Sequence, residues 1–414
     1  MVRLITAAVV TAAAVAIVTA GCGSAGAAGP GSMDGAASIV PANAVAFVAA
    51  STDLTSSQWH AVTGIFLQRF EEQTRLSFAN DVKPALGSEV DVAVLPGDQV
   101  VALTQPHDTA KLAALATKYK LETRTIGDWT AIAKTSGALD AVANATSHLA
   151  DSNAFVEAMS RLPSDALARA YATDAETMVG QTGFQWLAAA VTGPADGLKL
   201  EGFAHGLSEV AGSGAPSAPA LVDEIPSGTL AVLDFRVQSA GFALLQKLLG
   251  QSAAGVRKQL ETLLGGETAL YVRPGLPIPE ATLVTQPADT AAASRTVDDL
   301  LGALPKTGML SSLTLHRAVV GGRLVVSTTQ QGIDDFRSSG PKLSSDASFL
   351  EAKKQSGMPE QVTGFAYANV KDALPLLELA GVKLPAGMPD LRTFAAYSGT
   401  SGGDTTFTAF LGVG

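Results

Sequence analysis

The residues of this chain from which chemistry could be built are few: one cysteine, five histidines, and a handful of serine and lysine patterns among 414 residues. Cys22 is the sharpest of them. It closes Val18-Thr19-Ala20-Gly21-Cys22, behind Arg3 and the uncharged, mostly apolar run from Leu4 to Ala20. Small residues beside the cut suit signal processing, and the thiol then accepts a diacylglyceryl group. Thr19 stands where leucine is usual. Read instead as an uncleaved anchor, the run is short for a bilayer. The expectation is a bacterial lipoprotein signal peptide over 1–21 with Cys22 as the lipid attachment site, palmitate among its acyl groups. Acyl chains at ~0.8 kcal/mol per buried CH₂ anchor durably, and no other membrane segment follows residue 22. With one cysteine, no disulfide forms within the chain and no thiolate cluster holds a metal. An exported chain of this kind relies on its core.

The remaining patterns lack the context their chemistry needs. Gly399-Thr400-Ser401-Gly402-Gly403 matches a nucleophile elbow, which requires a strand before it and a helix after it. Here apolar strands flank it on both sides, and no histidine follows Ser401. Ser339-Gly340-Pro341-Lys342 and Lys306-Thr307-Gly308 stand in the wrong order for penicillin-recognising motifs, and Pro341 forbids the helical turn that would aim the lysine at the serine. His60, His107, His148, His205 and His316 show no i, i+3 or i, i+4 pairing, so a zinc site would have to be assembled by the fold. Glu89 and Glu267 recur beside similar turns, either as a functional pair or, preferably, as carboxylates accepting turn N–H bonds. The reading is of a non-enzyme: no catalytic, cofactor-binding or metal residues, and no cofactor.

The elements around these residues are duplicated. Thr104-Gln105-Pro106-His107-Asp108-Thr109-Ala110 recurs as Thr285-Gln286-Pro287-Ala288-Asp289-Thr290-Ala291. Leu86-Gly87-Ser88-Glu89 is answered by Leu264-Gly265-Gly266-Glu267, and Phe155-Val156-Glu157-Ala158 by Phe349-Leu350-Glu351-Ala352. Collinear matches of this kind mean duplicated folding units. Within each copy, Pro41, Pro163, Pro226 and Pro359 each precede a short turn and an apolar strand, as suits a residue that fixes φ at a strand entrance. Asp108 and Asp289 fit helix N-caps, and Gly127-Asp128 and Gly321-Gly322 fit hairpin turns. Each copy reads as strand, amphipathic helix, strand pair, helix, strand pair, two short helices, strand, helix and final strand. In copy one Trp59, Val62, Phe66 and Phe70 mark the first helix. All three tryptophans, Trp59, Trp129 and Trp186, fall in copy one, hinting that one copy binds a partner. The fold class expected is α+β: two tandem domains, each a mainly antiparallel sheet with helices packed on one face, opening in the βαββαβ order of a ferredoxin-like unit.

The strand entered by Pro41-Ala42-Asn43-Ala44, the Leu86-to-Glu89 turn, Leu149-Ala150-Asp151-Ser152-Asn153-Ala154-Phe155 before Pro163, and Leu343-Ser344-Ser345-Asp346-Ala347-Ser348-Phe349 before Pro359 together resemble the domain-of-unknown-function family 3352 of bacterial envelope lipoproteins. The resemblance spans nearly all of 38–414 and implies no activity, cofactor or catalytic residue. The expected layout is 1–21 signal peptide, 22–37 flexible tether, 38–207 first domain, 208–222 linker and 223–414 second domain. The formal charge of −10, one unit more negative without Arg3, argues against nucleic acid and against adhesion to anionic lipid by charge. The function expected is a lipid-anchored, extracytoplasmic protein on the outer face of the cytoplasmic membrane, binding another envelope component. A carrier of an apolar ligand or lipid is the alternative, and a hydrolase the third.

Overall fold

The computed structural model describes residues 33–52, 71, 74–173, 185–206, 215–237, 254–275, 279–303, 315–379, 381 and 390–414. The chain breaks into two compact units between Gly206 and Leu207.

In the first unit the described strands are β1 (Ala46–Ser51), β2 (Glu89–Leu95), β3 (Gln99–Thr104), β4 (Glu122–Ile126), β5 (Trp129–Ala133), β6 (Ala168–Thr173), β7 (Trp186–Thr192) and β8 (Gly197–His205). They line up as β8-β7-β6-β1-β2-β3-β5-β4, and each paired register among them is antiparallel. Its longer described helices are α1 (Thr109–Tyr119), α2 (Ser136–Ala143) and α3 (Asn153–Ser160).

The second unit has strands β9 (Ala231–Arg236), β10 (Glu267–Arg273), β11 (Glu280–Thr285), β12 (His316–Val320), β13 (Arg323–Ser327), β14 (Gly364–Asn369), β15 (Leu391–Ser401) and β16 (Asp404–Val413). Their order, β12-β13-β11-β10-β9-β14-β15-β16, repeats that of the first unit strand for strand. Its helices are α4 (Ala254–Leu264), α5 (Thr290–Ala303), α6 (Gln330–Arg337), α7 (Ala347–Ser356) and α8 (Val370–Leu379). The fold is α+β. The four proline-led strands are β1, β6, β9 and β14, and they pair with each other, β1 with β6 and β9 with β14.

Three expectations are corrected. In a ferredoxin-like split unit the third strand lies between the first two, whereas here β1 pairs directly with β2 and β3 lies beyond it. Element order along the chain is the same in both cases, and only pairing separates them. Helices also lie on both sheet faces rather than one. Leu139 and Val142 of α2 and Phe155 of α3 pack with Val101, Leu103 and Ala131. Leu112 of α1 packs with Ile132 on the opposite face. The second unit does the same, with α6 and α7 on one face and α4 and α5 on the other. The cause is visible in β2, whose residues from Val90 to Leu95 are all buried: a strand covered on both faces is apolar throughout rather than alternating. Finally, each unit closes on a hairpin, β7–β8 in the first and β15–β16 in the second, rather than on a single strand. The Ala-rich β7 segment has little β-propensity of its own.

The repeated motifs meet in space, which explains why they recur. A Cβ on Gly87, at φ 70°, would collide with the Gln105 carbonyl, and one on Gly266 with the Gln286 carbonyl. Thr104 Oγ1 bonds the Leu86 carbonyl and Thr285 Oγ1 the Leu263 carbonyl. Asp108 caps α1 by accepting from Lys111 N at 3.0 Å, and Asp289 does so for α5 from Ala292 N at 2.9 Å. The third motif supplies an edge-on aromatic pair to each core, Phe155–Tyr171 at 5.2 Å and Phe349–Tyr367 at 5.3 Å.

Candidate functional site

Both units bury acidic groups at one end of their central strands, against the segment that enters the unit. In the first, Glu89 and Asp91 alternate on β2 with the core residues Ala93 and Leu95, so all four side chains share the core face. Glu89 Oε1 accepts from Asp34 N (2.9 Å) and Gly35 N (3.3 Å), and Asp91 Oδ2 accepts from Ala36 N (3.1 Å). These are the orphan donors of the short 3₁₀ turn Gly35–Ser38, so carboxylates from the sheet cap it. Arg169 of β6 donates from Nη1 to both Asp34 oxygens, at 2.9 and 3.1 Å, and from Nη2 to the Met159 carbonyl. Asp34 is held at φ 110°, a conformation that L-residues adopt only when their surroundings impose it. Burial, and then the neighbouring Glu89, push the Asp91 carboxyl well above the usual carboxylate range. Asp34 is also raised by burial, with Arg169 opposing.

In the second unit Leu221 N donates to Glu267 Oε1 (3.0 Å), while Arg236 Nη2 pairs with Glu267 Oε2 at 2.7 Å and donates to the Ala218 carbonyl at 3.2 Å. Asp234 on β9 is fully buried beside Glu267. Burial, then Glu267, push it up to about 8, against the pull of Arg236.

The acid has changed strands between the copies. Asp91 faces Ala49 across the β1–β2 ladder, and Asp234 faces Ala269 across β9–β10. Glu89 and Glu267 hold matching places, so Asp91 corresponds to Ala269 and Ala49 to Asp234. One acid and one alanine fill this pair of positions in each unit, with the strands exchanged. Neither cluster holds a nucleophile beside a base. Each arrangement binds backbone N–H groups and fastens the entering segment to the sheet, which is the preferred sequence reading of Glu89 and Glu267. The 22–37 tether accordingly ends earlier than its composition suggests: Met33, Ala36 and Ala37 are core residues. Gly35 is small because a side chain there would crowd the Trp129 ring. The 208–222 linker is shortened likewise, since Ser217 bridges to Val362 and Leu221 is buried.

The other sequence candidates stay apart. Cys22, His60, Trp59 and Lys306-Thr307-Gly308 lie outside the described residues. His107 precedes α1, His148 lies 3.6 Å from Asp151, His205 stacks on Trp186 at 4.8 Å, and His316 sits on β12. Among the described residues no three His, Cys, Asp or Glu side chains group to hold a metal. Ser401 ends β15, and Gly402 and Gly403, at φ 60° and 91°, turn into β16 where an elbow needs a helix. Lys342 donates to the Ser338 carbonyl beyond α6. Trp129 and Trp186 are buried, which removes these two as exposed partner anchors. Among the described residues no helix is long and apolar enough to cross a membrane. Asp34, Asp91, Arg169, Asp234 and Arg236 escaped the sequence reading. The available signal was a lone acid inside an apolar strand, as in Val90-Asp91-Val92 and Leu233-Asp234-Phe235.

No family model matches the chain, and no curated protein matches it. Among solved structures, one titled "Structure of crystal form I of TP0453" is similar at 10% identity over 75% of this chain and 96% of its own, with a TM-score of 0.21. A likeness at that level carries no argument.

Proposed function

We propose that this chain is a non-enzymatic, lipid-anchored protein of the bacterial envelope. It is held to the outer face of the cytoplasmic membrane through Cys22, and its tandem units bind another envelope component. The observation that carries this reading is Ala20-Gly21-Cys22 at the end of the Leu4–Ala20 run, a short stretch ahead of the latched segment. Ten residues separate Cys22 from Met33, where the chain joins the core. At 3.3–3.6 Å per residue they reach about 35 Å at most, so the first unit stays close to the bilayer. The family 3352 resemblance supports the same reading. An apolar carrier is the alternative. Intact mass of the protein extracted from host membranes is the test. The expected product starts at Cys22 and carries acyl mass, and Cys22→Ala abolishes it. A chain retaining residues 1–21 without acyl mass overturns the anchor.

A further inference from the structure

The duplication makes one place in the first unit stand out. In the second unit the end of the β10–β11 hairpin carries Arg273 opposite Glu280. Arg273 pairs with Asp335 of α6 and lies 3.8 Å from Glu280, which also accepts from Thr329 Oγ1 at 2.8 Å. The matching residues of the first unit are Leu95 opposite Gln99 on β2–β3, and Ala141 in α2. None of the three is charged, and the same place is an open cleft of about 640 Å³, within the ~300–1,000 Å³ of small-molecule sites. Pro41, Leu95, Pro96 and Ala141 give it apolar ground, and Asn43, Gln99, Asn144, Thr146 and Ser147 give it amides and hydroxyls. Asp140, the helix neighbour of Ala141, is engaged by Arg124 at 2.6 Å.

We propose that this cleft binds a neutral, multiply hydroxylated ligand of the saccharide class. The argument is chemical. Amide side chains offer donor and acceptor side by side, which matches vicinal hydroxyls. No lining side chain is charged, so neither anions nor cations are selected. Peptide recognition works through an open strand edge, an apolar helix groove, an aromatic-lined proline groove or an arginine cluster, and none of these lines the cleft. The second unit fills the matching residues with an internal ion pair instead. The inference rests on the reading of an envelope-binding module, while the ligand class comes from the lining of the cleft. The cleft itself is tested independently of the anchor, so either can fail alone.

Saturation-transfer difference NMR on the purified mature chain tests it, with maltotetraose, cellotetraose and chitotetraose as neutral probes and tetra-alanine as a peptide control. At least one saccharide gives a signal at millimolar concentration, unchanged by added salt. Gln99→Ala with Asn144→Ala, both on exposed side chains, weakens it about tenfold or more while the melting curve stays put. The transplant Leu95→Arg, Gln99→Glu, Ala141→Asp closes the cleft and abolishes the signal; should it fail to fold, the double variant decides alone. Absence of any saccharide signal, a signal indifferent to the double variant, or binding of tetra-alanine in its place overturns the proposal.

Discussion

The two units answer one physical problem with different residues. Each must fasten an entering segment to the end of its sheet, and each does so with a glutamate at the start of the second strand, Glu89 or Glu267. Beside it the first unit buries Asp91 on that same strand, and the second buries Asp234 on its neighbour. The arginine differs too. Arg169 reaches from β6 to Asp34 in the entering segment, whereas Arg236 on β9 pairs with Glu267 itself. What is kept is a buried acid in one of two facing positions and a nearby guanidinium. Which strand supplies them has been free to change, because directly opposed residues of an antiparallel pair occupy the same patch of one face.

Breaking the first unit's pair has the largest expected effect. Arg169→Met strands Asp34 in a buried setting, and removing one partner of a buried pair costs about 3–5 kcal/mol. All three tryptophans lie in the first unit, so tryptophan fluorescence in urea reads this unit while circular dichroism reads both. A fluorescence midpoint that does not move would sink the latch argument.

The second unit should show the opposite sign at its own acid. Asp234 is held at about 8 against an ordinary 3.8. The folded state therefore keeps a proton that the unfolded chain has released, and the unit's stability falls as pH rises from about 4 to about 8. Asp234→Asn removes that slope and stabilises the unit above pH 8, on the order of a few kcal/mol. The dichroism transition that fluorescence does not follow measures it. A slope that persists in the variant places the titrating group elsewhere.

The exchange of strands is tested by copying it. Asp91→Ala alone orphans Ala36 N, and Ala49→Asp alone sets a second acid against Asp91. Together they reproduce the arrangement of the second unit. A double-mutant cycle in urea should return a favourable coupling of about 1–3 kcal/mol, and strictly additive losses would break the equivalence. The smallest effect concerns what the copies share unchanged. Asp108→Ala and Asp289→Ala should each cost about 1 kcal/mol by uncapping α1 or α5, and unequal losses would mean that the repeated Thr-Gln-Pro motif does different jobs in the two units.

Much of the fold was legible because its signals are local. The prolines before β1, β6, β9 and β14, the N-caps at Asp108 and Asp289, and the glycine turns at Gly127 and Gly321-Gly322 depend on the φ preferences and hydrogen bonds of a few adjacent residues.

The candidate site was legible only at Glu89 and Glu267, which a repeat could flag. Asp34 and Arg169 are 135 positions apart, and no local pattern links them. The small residues before Pro41 looked like a tether, yet Ala36 and Ala37 are buried in the first unit's core, and Gly35 is small because the Trp129 ring leaves no room for a side chain. By itself, then, the sequence determined the duplication, the α+β class, and the turns and caps, since all of these rest on residue type and short-range geometry. Only the tertiary structure decided the placing of β2 directly beside β1, the helices on both faces, the strand that carries the buried acid, and the opening of a cleft where the second unit has an ion pair. Each of these depends on cross-strand register and burial, which bring distant residues to one face and raise or release the free-energy cost of a charge there.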